Sequence, residues 1–542
     1  MAKELTYQPL TNIGVNGLNT QNNPATLDPS WLTKADNIVL RESGRITFRK
    51  GLKQKVAPSG TAIGSMIEHN DQGTNKIFAS YGTSIYTVDF TSPASAFPSS
   101  GDDVKHTVGS STGDWQFVNF NDRLHCFHTG VVPQRYDGSL GSGSKWTAHA
   151  TDPAGITTFD PSCAMGYYGR IWCGGITENK DTVFYSNLLD GDDWTGGTTG
   201  YINLKTVWGT DEIIALAPFY GKLVIFGKNN IAIYNNPDDQ GNLELDEVIK
   251  GVGLVSRDSV QAIGDDLVFL SNTGLRSLAR TTEKDKLPLQ DLSLNIKDRI
   301  IRDIGNSSNV KSVYVENEGI YIMSFVAKNI NYIFDFKHRT PNGAPRVTTW
   351  TFDNDREPAS MIYTELYSGL LVGQKDGAIA GYEKWYDTDL AGASTYTDAS
   401  YTWSFETTWV DLGESVASSL LKRLFMVLEG GSGATMGIKW YKDFSVTPST
   451  TTSIVLNPVT TGTTSLWGAS SSLYGATTAT HTHDAAVHPS NSTYTPVYGL
   501  REYRTPLTGS AKHLKLAIDI ESNGYDASLQ NLTLLHKQGK IR

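Results

Sequence analysis

Seven short apolar strands, each entered from a tight turn, recur along this 542-residue chain at intervals of 44 to 53 residues. The first position expected to be buried after each turn is Ile77, Leu124, Ile171, Leu223, Leu267, Ile320 and Leu370. The flanking text repeats as well. Asn121-Asp122-Arg123-Leu124-His125-Cys126 is echoed by Tyr168-Gly169-Arg170-Ile171-Trp172-Cys173, then by Tyr220-Gly221-Lys222-Leu223 and Gly264-Asp265-Asp266-Leu267. A second strand follows each anchor, often opening on Gly or Asn and closing on an aromatic, as in Asn230-Ile231-Ala232-Ile233-Tyr234. A fixed period of this size, made only of strands and turns, predicts propeller blades. One blade cannot cover both of its faces, so neighbours must stack and the ring must close.

The expected fold is all-β: a β-propeller of about seven blade-like repeats, with six to eight compatible with the spacing, followed by a β-sandwich. Residues 1–62 read as an extended, Asn- and Pro-rich lead and a basic strand pair turning at Ser43-Gly44, residues 63–394 as the propeller, and 395–542 as the sandwich. One helix is expected near 292–304, where Ile296, Ile300, Ile301 and Ile304 fall at helical spacing. In the last segment Leu514, Leu516, Ile518 and Ile520 alternate with polar neighbours, as a half-buried strand does. Leu424, Met426 and Leu428 make a second such strand, and Ile438 with Trp440 a third. A Ser/Thr-rich insertion at about 445–500 interrupts these strands and reads as a protruding loop or hairpin.

A hydrophobic content of 39% with 52 Gly and 25 Tyr suits many short strands and argues against helical bundles. No apolar run reaches the roughly 18 residues that span a bilayer, and the first residues carry no apolar leader, so folding in a reducing cytosol is expected. Cys126, Cys163 and Cys173 form no C-x-x-C pair and read as structural thiols. The net charge is −10, yet Arg41, Arg45, Arg49, Lys50, Lys53 and Lys55 against Glu42 give residues 41–55 a local +5. An otherwise acidic body is a poor phosphate binder.

The usual catalytic signatures are absent: no G-x-S-x-G elbow, no P-loop and no H-E-x-x-H. Gly431 to Gly437 has the wrong spacing for a phosphate loop, and Ser186 to Trp194 departs from the Asp-box of sialidase propellers. No enzyme activity and no cofactor are therefore expected. Two stretches have metal-ligand character: His481, His483 and His488 beside Asp484, and the loop Asn236, Asp238, Gln240, Gly241 and Glu247. A polar loop tip and a hairpin turn account for them, so no metal site is assigned. His125 and His128 read as core or surface histidines.

Gly17-Leu18-Asn19-Thr20, Ala35-Asp36-Asn37 and Arg45-Ile46-Thr47-Phe48-Arg49-Lys50-Gly51 resemble the opening of the tail nozzle proteins of short-tailed bacteriophages, also called tail tubular protein B. Leu223 to Ile231, Ser271 to Leu278 and the ending Leu532 to Lys540 share the likeness. The resemblance implies a structural protein of the virion tail, made in the host cytoplasm. It would be a homohexamer below the tail adaptor protein, with genomic DNA passing through the ring without sequence-specific binding. Tail fibres and the host cell surface are further partners compatible with it.

Within that reading Arg41, Arg45, Arg49 and Lys50 are expected to dock on an acidic partner. Trp467 and Leu473 of the Ser/Thr-rich insertion are expected to pack between subunits as a channel gate. The alternative is a glycan-binding or glycan-hydrolysing propeller, with Trp115, Trp146, Trp194, Trp208, Trp350 and Trp385 as stacking candidates. An intracellular scaffold propeller is a third reading, though the WD and kelch signatures are missing.

Overall fold

The hairpins that lead into the anchor strands of the first four repeats reverse through left-handed backbone. Asn121 and Asp122 precede Leu124 at φ 48° and 55°, Tyr168 and Gly169 precede Ile171 at 46° and 68°, and Tyr220 and Gly221 precede Leu223 at 47° and 77°. Two successive positive φ values make a type I′ turn, whose twist matches that of the strands it joins. These turns are what the repeat in the sequence records.

The computed structural model describes residues 5–41, 44–90, 105–107, 113–141, 143–278, 291–305, 309–352, 356–367, 369–383, 400–413, 418–430, 434–456, 500–522 and 526–539. The chain divides into two compact units, one of residues 55–330 and 354–381, the other of 1–54, 331–353 and 382–542. The second grouping differs from the expected segments: the N-terminal lead and residues 331–353 belong with the C-terminal part.

The first unit holds six blades in a propeller arrangement. The first four repeats are four-stranded meanders, exemplified by Gln116–Phe120, Arg123–His128, Val131–Tyr136 and Trp146–Ala148. The fifth has three strands, Gln261–Ile263, Asp266–Ser271 and Gly274–Ser277. The seventh runs Pro358–Thr364, Gly369–Gln374 and Ile379–Glu383, and takes its fourth strand, Gly51–Val56, from ahead of the repeats. The sixth repeat gives this unit the hairpin Val310–Val315 and Ile320–Phe325. The expected helix is present as a 3-10 turn, Leu294–Ile296, followed by the α-helix Lys297–Ile304, with Ile296 and Ile300 buried.

All seven anchors occupy the second strand of their repeat and are buried. Leu124, Ile171, Leu223, Leu267 and Leu370 are each the second residue of that strand; Ile77 lies two residues further on, a shift that keeps the same face. Apolar clusters join successive blades. Leu124 and Cys126 meet Phe78 and Ile85 of the first blade, Ile171 and Cys173 meet Phe127 of the second, and Leu223 meets Trp172 of the third. Ile77 meets Leu371 and Ile379 of the last blade, together with Val56, so the ring closes. Burial of this kind contributes about 25 cal/mol per Å² of apolar surface and is the main force holding the blades together. The three cysteines are free and buried, as expected of structural thiols.

In the other unit, one sheet has the order Leu500–Pro506, Ser419–Gly430, Ala527–Lys537, Ile46–Phe48, Ile38–Leu40, with Leu5–Leu10 also on Ala527–Lys537. A second sheet runs Ile330–Arg339, Pro345–Trp350, Trp31–Asp36, Thr402–Thr407, His513–Glu521, Thr435–Lys442, Thr450–Val455. The rings of Phe48 in the first and Trp403 in the second lie 5.8 Å apart. Leu514, Leu516, Ile518 and Ile520 are buried on one strand, as their alternation predicts.

Candidate functional site at the propeller axis

The first strand of every repeat, from Gly64 and Met66 in the first to Met361 in the seventh, lines one cavity of about 360 Å³. This is the low end of the range for small-molecule sites. Its walls are mostly small or apolar, and its charge is concentrated on one side, on Arg257, Asp258 and Lys311.

Those three residues close a network with Asp114. Lys311 Nζ donates to Asp114 Oδ1 and to Asp258 Oδ2, both at 2.5 Å. Arg257 donates from Nη2 to Asp114 Oδ1 at 3.1 Å and from Nε to Asp258 Oδ1 at 2.8 Å. Its Nη1 reaches the Ser162 carbonyl at 2.7 Å. The network thus ties the second, third, fifth and sixth repeats together. Burial by itself would raise the Asp258 carboxyl, but Arg257 and Lys311 outweigh it and hold the group well below the usual carboxylate range. Burial likewise opposes the Arg257 charge, and Asp258 and Asp114 reverse that effect. Two cations and two carboxylates balance, leaving no spare charge for a ligand. An ionised Asp258 is also no proton donor at neutral pH.

Of the aromatic candidates for sugar stacking, Trp115 contributes to the cavity wall while packing, 2% exposed, in the cluster between the first two blades. Trp194 and Trp208 are buried in the clusters between other blades, Trp146 packs against the cluster that holds Trp115, and Trp350 is buried in the other unit. Trp385 lies outside the described residues.

The basic run is corrected in part. Arg49 does not face outward: its side chain is fully buried, 3.9 Å over the Tyr401 ring, donating to Asn37 Oδ1 at 3.0 Å and to the carbonyls of Lys50 and Thr351. A guanidinium flat against an aromatic face, with its fork satisfied, is a structural group. Arg45 meets Glu429 of its own chain at 3.5 Å, Arg41 acts on Asp526, and Lys50 lies 5.2 Å over the Tyr382 ring. The repulsion among these cations is relieved internally.

The loop from Asn236 is a hairpin turn between Asn230–Asn235 and Glu244–Lys250, with Asp239 accepting from the Gly241 and Asn242 amides of the backbone and side chain. Trp467, Leu473, His481, His483 and His488 lie outside the described residues. Sequence reasoning missed Asp114, Arg257, Asp258 and Lys311, which share no motif or spacing.

A different feature marks the rim. Tyr168 and Tyr220 sit at positive φ yet are 46% and 67% exposed, beside exposed Leu188 and Leu189. Asn121 holds the equivalent turn position in the second repeat, the residue type such backbone favours. Tyrosine there costs backbone energy, offset in part by ring contacts of Tyr168 with Tyr167 and of Tyr220 with Phe219, whose centroids lie 4.3 and 4.6 Å apart.

Taken together, ring and axis define a β-propeller. No protein-family model matches the chain, and no curated protein matches it. Among solved structures it is similar to the crystal structure of Raptor from Chaetomium thermophilum, at 11% identity and a TM-score of 0.40, covering 62% of this chain and 30% of that one. The chain therefore spans less than a third of that protein, and a likeness at this level carries no argument about function.

Proposed function

We propose that this chain is a structural protein of a virion: the subunit of a hexameric tail nozzle that forms and gates the DNA exit channel of a short-tailed phage. One observation carries the reading. At the propeller axis, where this fold commonly holds ligands, every charged group of the cavity wall is paired within the chain's own balanced ion network. A propeller organised in this way serves as a rigid building block, and DNA would pass between six copies rather than through any one of them. The net charge of −10 suits a wall that must not bind phosphate tightly. The exposed Tyr168, Leu188, Leu189 and Tyr220 offer an apolar contact for a neighbouring subunit. The adaptor ring, tail fibres and the gate at Trp467 and Leu473 belong to the same proposal.

Electron-microscope class averages of the purified chain test it. Six-fold rings support the nozzle. A monomer that binds oligosaccharides in the axial cavity, with binding lost on filling that cavity by Ala217→Trp, would replace it with the glycan reading.

A further inference from the structure

An antiparallel sheet with one face on the core normally turns a polar face to water. The sheet built on Ser419–Gly430 and Ala527–Lys537 does not. Its inner face is apolar as expected, with Leu421, Leu424, Met426 and Leu428 buried. Register places a second apolar set on the opposite face. Leu535 has Tyr7 on one side and Arg423 on the other, and Phe425 lies between Thr533 and Arg504. The Tyr7 and Phe425 rings are 6.1 Å apart, and the Arg504 guanidinium lies 5.5 Å over the Phe425 ring. Leu5 and Leu420 flank Lys537. Tyr7, Leu5 and Leu420 are exposed, as is Leu500 at the far edge. Apolar side chains gathered in this way mark a contact surface. Its charge is positive: among the described residues no acid pairs with Lys422, Arg423 or Lys537.

The propeller rim carries the counterpart. Leu188 and Leu189 lie against Gly169, and the Tyr168 hydroxyl reaches Gly221, next to Tyr220. Acids surround this exposed set. Asp122 follows Asn121, whose side chain donates to the Leu189 carbonyl at 2.6 Å, and Asp190 follows Leu189 directly. Asp238 is close enough to act on the Tyr167 phenol. All three carboxylates are exposed, and among the described residues no cation pairs with them.

The two surfaces match in kind and oppose in sign. The same division holds for the whole units: the propeller unit has 24 Lys and Arg against 36 Asp and Glu, and the other unit 22 against 20. Two copies meeting through the same face would bring like charges together, which costs affinity. Unlike faces pair cations with acids and cover both apolar sets. Such a contact, repeated, closes a ring or runs on as a filament.

We propose that the basic, apolar face of this sheet docks on the acidic, apolar propeller rim of a second copy, head to tail. Closure at six copies rests on the nozzle reading; the contact itself rests on the two faces.

The test uses the purified full chain, followed by sedimentation velocity and electron-microscope class averages. Arg423→Glu with Lys537→Glu turns the sheet face acidic, and Asp190→Lys with Asp238→Lys turns the rim basic. Each variant alone should lose association while keeping the β-sheet circular dichroism of the parent, because both of its faces then carry one sign. Mixed in equal amounts, the two variants should reassemble, since each again offers the other an opposite face. High salt should weaken association of the parent. Association kept in either variant, or a mixture that stays monomeric, overturns the docking while six-fold rings of the parent keep the nozzle. Rings of another order, or filaments, that respond to the variants as described keep the docking and remove the nozzle. A parent chain that never associates overturns both.

Discussion

Lys311 and Asp114 are separated by 197 positions in the chain and by 2.5 Å at the propeller axis. Lys311 has a side chain only 9% exposed, whereas that of Asp114 is 61% exposed. The two ends of one ion pair therefore carry unequal shares of the desolvation cost. Lys311→Met should destabilise the chain by about 3–5 kcal/mol, since it strips Asp258 of one of its two cations in a buried setting. Asp114→Asn should cost less than about 1 kcal/mol, as at an exposed pair. Equal losses in denaturant titrations would mean that burial does not govern this network. Asp258 is held below its ordinary value, so its contribution is complete above that value and is lost only as pH falls through the lower, folded one.

His69 should set part of the acid sensitivity at higher pH. Its ring is buried, Nδ1 bonds Asn119 Oδ1 at 2.9 Å, and Nε2 is unpartnered beside Phe78 and Tyr136. Burial lowers its pKa, so the unfolded chain takes up a proton that the folded chain refuses. Its contribution is full above pH 6.5 and falls as the solution becomes more acidic, by at most about 1.4 kcal/mol per pH unit. His69→Gln should reduce the slope of stability against pH by up to one proton. An unchanged slope between pH 6.5 and 5 would show that the histidine is not held neutral.

Arg49 and Arg45 belong to one basic run and should behave differently. Arg49→Lys keeps the charge but loses the forked hydrogen bonds and the flat contact with Tyr401, for an expected loss of about 2–4 kcal/mol. Arg45→Gln removes the charge from an exposed pair with Glu429 and should cost about 1 kcal/mol or less. Thermal denaturation of both variants decides the matter: similar midpoints would contradict the burial of Arg49.

Tyr168→Asn and Tyr220→Asn place a residue suited to positive φ at both turns. Subunit stability should stay within about 0.5 kcal/mol of the parent or improve, while association measured by sedimentation weakens. Full association in the double variant would remove the rim from the assembly surface.

The ring was readable because its signals are local. Type I′ turns demand particular residues, strand alternation has a period of two, and both recur once per blade. The axial network was not readable, because Asp114, Arg257 and Lys311 come together only when the blades close. The same holds for Arg49: whether a guanidinium in a basic run is solvated or buried depends on Thr351 and Tyr401, about 300 and 350 positions away. The division into units escaped because the strand Pro345–Trp350 continues the repeat in sequence but belongs with the C-terminal sheets.

The strand Gly51–Val56, which completes the sheet of the seventh repeat, is synthesised about 300 residues before the strands beside it. At roughly 5–20 residues per second it waits for some tens of seconds on the ribosome. During that time its backbone edge is open to any passing strand. Lys53 and Lys55, spaced two apart along it, are charges of the kind that discourage such mispairing. The chain thus carries its last fastener at the front, and production of the protein should be sensitive to conditions that lengthen the interval between making that fastener and using it.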